Sequence, residues 1–115
     1  MTEPGVVLVV DDQAPNRRLL EAVLEPRGYR VVSAESGEEA LRLLAEDPPD
    51  VVLLDIVMPG IDGYEVCRRI RENEATAVLP VVMITASGQQ EKLRATEAGA
   101  DDFVTKPFDR AELLA

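Results

Sequence analysis

Val51-Val52-Leu53-Leu54-Asp55-Ile56-Val57-Met58-Pro59-Gly60 runs four apolar residues straight into one acid. A Val- and Leu-rich run without polar alternation predicts a strand buried on both faces, as in a parallel sheet. Asp55 ends the run, and Pro59-Gly60 with Asp62-Gly63 predicts a loop beyond it. Open α/β sheets place their chemistry at the carboxyl ends of central strands. Taken alone, Asp55 also fits a simple strand end. The rest of the chain must decide.

Working outward, the same pattern recurs. Val6 to Val10 is a second apolar run, closed by Asp11-Asp12. Residues 13–25 predict a helix with Leu19, Leu20, Val23 and Leu24 on its inner face. Pro15 suits its first turn, and Pro26 and Gly28 stop it. Residues 30–34 predict a short strand. Ser36 with Glu39 has capping-box spacing for a second helix, with Ala40, Leu41, Leu44 and Ala45 inward. Asp62 with Glu65 caps a third helix, whose inner residues are Val66, Cys67 and Ile70. Residues 73–79 form a looser connection. Val81-Val82-Met83-Ile84 is another buried run, ending at Thr85-Ala86-Ser87. Ser87 with Gln90 opens a fourth helix, stopped by Gly99. Residues 102–105 predict a last strand, followed by Lys106-Pro107-Phe108 and a final helix capped by Asp109.

Five strands alternating with five helices over short loops predict one α/β domain spanning residues 1–115. The expected architecture is a doubly wound, five-stranded parallel sheet of order 2-1-3-4-5, flanked by five helices. The final helix has about half the length needed to cover its edge. It is therefore expected to be truncated, or to continue into an output domain.

Composition narrows the function. A formal charge of −10 argues against a nucleic-acid binder and against docking on anionic membrane. The single cysteine, Cys67, cannot form an intrachain disulfide and falls at a core position. No apolar run reaches membrane-spanning length and no signal pattern opens the chain, so a cytoplasmic protein is expected.

In the predicted sheet the first, third and fourth strands end in Asp11-Asp12, Asp55 and Thr85, and Lys106 follows the fifth. All lie on one edge. Carboxylates that close to one another repel by several kcal/mol, roughly 4 at 4 Å and an effective dielectric of 20. An all-oxygen acid cluster, in a chain without histidine, suits Mg²⁺ or Mn²⁺ rather than zinc. With a cation, a lysine and a hydroxyl nearby, the edge suits a phosphoryl group, and Asp55 is the natural nucleophile. Each residue also has a structural reading. Asp11 or Asp12 can cap the first helix, Thr85 can simply end a strand, and Lys106 can be a solvated loop residue. Asp62, Glu65, Asp101, Asp102 and Asp109 read as caps and solvated turn residues.

The chain resembles the receiver domain of bacterial two-component response regulators, the CheY-like family. The matching stretches are Val9-Val10-Asp11-Asp12, the segment from Leu53 to Gly63, Ile84-Thr85-Ala86, and the segment from Gly99 to Phe108. The resemblance implies that Asp55 is the phosphoacceptor. It implies Mg²⁺ held by Asp12, Asp55 and the Val57 main-chain carbonyl, with Asp11 acting indirectly. Lys106 then pairs with the phosphoryl group, and Thr85 and Phe103 form the switch pair. The implied donor is a sensor histidine kinase or phosphotransfer protein. The implied readout is the surface of the fourth helix, fifth strand and fifth helix, which meets an output domain, a downstream protein or a second copy in a homodimer. On this reading the chain is a signalling switch, catalysing only its own phosphorylation and dephosphorylation. Two rivals stand beside it. One is a Mg²⁺-dependent phosphatase with an aspartate nucleophile, although Val57 occupies the place where such enzymes carry a second acid. The other is an interaction module on the same fold that works without phosphorylation.

Overall fold

The computed structural model describes residues 5–85 and 89–105. The elements follow in strict alternation: β1 (Val6–Val10), α1 (Ala14–Leu24), β2 (Arg30–Ala34), α2 (Gly37–Glu46), β3 (Val51–Asp55), α3 (Gly63–Glu72), β4 (Val81–Thr85), α4 (Gln89–Ala98) and β5 (Asp102–Thr105). The strands form one parallel sheet of order β2-β1-β3-β4-β5. This is the expected doubly wound architecture. Four α-helices lie among the described residues. The final helix, with its cap Asp109, and the Ser87 cap of the fourth lie outside them.

The absence of alternation in the strands has a simple cause. Val7 and Val9 of β1, Val51 and Leu53 of β3, and Val82 and Ile84 of β4 share one apolar cluster with Leu20 and Leu24 of α1. Their neighbours Leu8, Val10, Val52, Leu54, Val81 and Met83 pack on the opposite face, with α2, α3 and α4. Side chains alternate along a strand, but here both faces are covered, so both alternating sets are apolar.

Helix ends follow their sequence signals. The Ser36 hydroxyl accepts from the Glu39 amide at 3.1 Å, and Asp62 Oδ1 accepts from the Glu65 amide at 2.9 Å. Neither N3 glutamate closes a reciprocal box. Glu39 instead accepts from the Glu35 amide, and Glu65 turns to Arg68 and Arg69. At the end of α4, Gly99 has φ +104°, and the Ala100 amide donates to the Ala95 carbonyl at 2.9 Å. This is the six-to-one bond of a glycine-terminated helix. Pro26 lies in a tight turn, Glu25–Arg27, that closes α1 just before Gly28.

Two expected inner residues are not inner. Leu19 is 49 % exposed, because the buried stripe of α1 runs through Leu20, Val23 and Leu24 and a helix turns 100° per residue. Ala45 is exposed, and Leu43 packs on the core in its place. Cys67 is fully buried beside Val66 and Ile70, as expected. Burial pushes its thiol pKa up. No helix among the described residues is long and apolar enough to cross a membrane.

Candidate functional site

The register of the sheet brings the acids together. Val10 of β1 pairs with Leu54 of β3, so Asp11 follows one strand beside Asp55, which ends the other. Asp11, Asp12 and Asp55 each offer a carboxylate oxygen, and these oxygens lie within 4.8 Å of one another. Asp11 is only 1 % exposed and Asp55 5 %, while Asp12 is half-buried.

Asp11 shows what this placement costs. Its amide donates to the Ala34 carbonyl at 3.1 Å, and its carbonyl accepts from Arg17 Nη1 at 2.7 Å. Its Oδ1 accepts from the Gln13 amide at 2.9 Å. Its Oδ2 is buried and has no hydrogen-bond partner. A buried carboxylate oxygen left without a partner is expensive, by about 1–3 kcal/mol or more. Repulsion adds to that cost: at an effective dielectric of 20, one ionised pair at this spacing costs on the order of 3–4 kcal/mol, less where water reaches Asp12. Hard oxygen donors, one of them orphaned, fit a hard divalent cation such as Mg²⁺. The capping role open to Asp11 is partly filled, since its Oδ1 meets the Gln13 amide just before α1, but Oδ2 is left over.

The loop after β3 holds Asp55 in place. The Gly63 amide donates to the Ile56 carbonyl at 2.8 Å. A Cβ on Gly63 would collide with the Asp55 carbonyl oxygen and lie 2.8 Å from Ile56 Cα. Only glycine lets the start of α3 approach the end of β3 this closely. Gly60 makes the intervening turn at φ +79°.

The remaining predicted site residues are distributed as follows. Val57 lies two residues beyond Asp55 and is 74 % exposed, so its side chain contributes nothing to the acid cluster. Thr85 ends β4, next to Ile84, the register partner of Asp55, and it pairs with Thr105. The Thr85 side chain and all of Lys106 lie outside the described residues. Phe103 in β5 is half-buried and packs against the larger core cluster.

Three features of the site were not read from the sequence. Arg17 reaches from the first turn of α1 to the Asp11 carbonyl, and its other arm meets Glu35 Oε1 at 3.4 Å. Gly63 was read only as part of a loop. Tyr64 is buried beside it, with the Arg94 guanidinium of α4 4.3 Å from the ring centroid. An arginine early in a helix that follows an acid pair was the one available signal for Arg17.

Comparison with known proteins agrees with this geometry. Residues 7–115 match the family described as "Response regulator receiver domain". The response regulator PleD of Caulobacter vibrioides is 47 % identical over 110 residues, covering 95 % of this chain and 24 % of PleD. The transcriptional regulatory protein ResD of Bacillus subtilis is 47 % identical over 114 residues, covering 98 % of this chain and 46 % of ResD. The chain thus spans half or less of these relatives. Among solved structures, the chemotaxis protein CheY4 of Vibrio cholerae superposes with a TM-score of 0.91 at 30 % identity, covering 96 % of this chain and 93 % of CheY4. The receiver domain of the sensor histidine kinase PA1611 of Pseudomonas aeruginosa has a TM-score of 0.89 at 35 % identity. Its alignment covers 96 % of this chain and 92 % of that one, and that structure holds a magnesium ion coordinated in its active site cleft. With the sheet order, the acid cluster and the match over residues 7–115 in agreement, the chain belongs to the response regulator receiver domains of two-component signalling.

Proposed function

We infer that the domain is a phosphoacceptor switch that takes a phosphoryl group onto Asp55. The observation that carries this reading is the convergence of the Asp11, Asp12 and Asp55 carboxylates, with Asp11 Oδ2 buried and unpartnered. Asp12, Asp55 and the Val57 carbonyl would hold Mg²⁺ (or Mn²⁺), with Asp11 acting through water. The cation, when bound, offsets the charge of the phosphoryl oxygens.

The chain's own groups do the rest. An Asp55 carboxylate oxygen attacks phosphorus in a phosphohistidine or a small acyl phosphate. The new O–P bond forms as the bond from phosphorus to the donor breaks, and the donor leaves as imidazole or carboxylate. Burial of Asp55 limits access of water to the reacting centre. The Lys106 ammonium pairs with a phosphoryl oxygen, and the Thr85 hydroxyl donates to another. Movement of Thr85 makes room for Phe103 to turn inward. The phosphoryl group shifts the equilibrium between two conformations only by its different contacts in each. The partners on this reading are a sensor histidine kinase or phosphotransfer protein upstream, and an output domain, a downstream protein or a second copy at the α4–β5 side.

Intact-mass measurement after incubation with acetyl phosphate and Mg²⁺ tests the assignment. A gain of one phosphoryl mass is expected. It should disappear in Asp55→Asn and on chelation. Persistence of the gain in Asp55→Asn at the same site refutes the assignment. Repeated turnover of a phosphomonoester would instead indicate a phosphatase. Failure to take up either phosphate or beryllofluoride would indicate an interaction module that works without phosphorylation.

A further inference from the structure

Arg17 is the described cation bonded to an acid of the cluster, yet its short hydrogen bond goes to a carbonyl, not a carboxylate. Nη1 donates to the Asp11 carbonyl at 2.7 Å. Nη2 faces Glu35 Oε1 at 3.4 Å, and the Arg17 side chain is 14 % exposed against 74 % for Glu35. The carbonyl it holds belongs to the peptide joining Asp11 to Asp12. Fixing that peptide plane sets ψ of Asp11 and φ of Asp12. Both side chains then leave the backbone in defined directions. Three other contacts complete the frame: the Asp11 amide on Ala34, the Asp11 Oδ1 on Gln13, and the start of α1 itself.

We propose that Arg17 is a positioning residue for the cation site, acting through the Asp11–Asp12 peptide rather than through its charge. The proposal rests on the cation-binding part of the function inferred above. It makes a prediction whose sign separates the two ways an arginine can act. As a point charge beside three acids, Arg17 repels a divalent cation, and its removal would tighten binding. As a positioning group, its removal loosens the acid pair and weakens binding, although the site has become more negative.

The test is direct Mn²⁺ binding to the unphosphorylated domain, read as free Mn²⁺ by electron paramagnetic resonance. Arg17→Met keeps much of the apolar stem and removes every donor, and five- to tenfold weaker binding is expected. Arg17→Lys keeps one donor and the charge, and should bind within threefold of wild type. Glu35→Gln breaks the ion pair but leaves the carbonyl bond, and should bind as wild type does. Thermal melts without metal establish that each variant is folded. Should Arg17→Met be unfolded, Arg17→Leu, which also has no donor, takes its place in the comparison with Arg17→Lys. Unchanged or tighter binding in the donor-free variant overturns the proposal, as does Arg17→Lys binding no better than it. Absence of Mn²⁺ binding by wild type overturns both this proposal and the cation site. Binding by wild type without any phosphoryl mass gain overturns the phosphoacceptor reading and leaves the Arg17 proposal standing.

Discussion

The two edges of the sheet treat acids in opposite ways. At the amino edge, Asp101 precedes β5, and its Oδ2 accepts from Arg71 Nη2 and from the Val81 amide, each at 2.8 Å. Arg71, in the last turn of α3, also donates to the carbonyls of Gly99 at 2.8 Å and Leu79 at 2.6 Å. Asp50, just before β3, accepts from the Val6 amide at 2.6 Å. Every one of these charges is spent on joining chain segments. At the carboxyl edge, three carboxylates converge and Asp11 Oδ2 has no partner. The difference separates fastening from function. A carboxylate matched to a guanidinium is a mechanical joint. Converging carboxylates with one buried oxygen, Asp11 Oδ2, left unmatched make a place for something to bind.

The largest test of that contrast is Asp55→Asn, which should abolish Mg²⁺-dependent phosphoryl uptake by intact mass while leaving the fold in place. Next in size is Arg71→Ala at the opposite edge. It removes hydrogen bonds to two loop segments, the connections before β4 and before β5, and a loss of about 2–4 kcal/mol is expected in urea melts, with Mg²⁺ affinity unchanged. Cation binding itself should then separate the edges. Mg²⁺ at a hundred times its dissociation constant should raise wild-type stability by about 2.7 kcal/mol, and chelation should remove the gain. The sharpest comparison is one of sign. Asp11→Asn relieves repulsion at the carboxyl edge and should stabilise the metal-free domain by about 1 kcal/mol, while abolishing most of the Mg²⁺ gain. Asp101→Asn weakens a half-exposed ion pair and should destabilise it by about 1 kcal/mol. A shared sign for the two would break the distinction between edges.

The smallest effect is expected on the solvated face of α3. Hydrogen bonds from Arg69 and Arg68 hold the Glu65 pKa below its usual value of 4.5. The folded state therefore binds this proton less readily than the unfolded chain. The contribution is present above the ordinary glutamate pKa and is lost as pH falls through the lowered one. Glu65→Gln should flatten the acid limb of the stability–pH curve slightly, as measured by urea midpoints between pH 5 and pH 3.

Much of this contrast was legible in the sequence, and the part that was not has physical causes. The strands were readable because burial on both faces leaves no polar position inside them. The acid cluster was readable because Asp11 and Asp55 each terminate such a strand, and a parallel sheet puts those ends together. Arg71 was not readable, because its bonds to Gly99 and Asp101 are set by tertiary closure, whereas Arg17, six residues from the carbonyl it holds, left only its place after the acid pair as a signal. Arg71 meets Gly99 and Asp101 across 28 and 30 residues. Asp101 was for that reason read as a solvated turn residue, although it ties α3 to two strands. Leu19 and Ala45 failed for a smaller reason. Hydrophobic periodicity locates a helical face only to within one residue's rotation, and which edge of the stripe is covered depends on the neighbouring elements.

The close approach at Gly63 has a practical consequence. The chain has no tryptophan and two tyrosines. Tyr29 stands just before β2 at the amino edge, whereas Tyr64 directly follows the glycine that touches the end of β3 at Asp55. Tyr64 is buried, with the Arg94 guanidinium of α4 over its ring. The molecule therefore carries its own optical reporter at the junction between site and helix layer. In Tyr29→Phe the only tyrosine emission would come from that junction, so changes there could be followed in real time without attaching a dye.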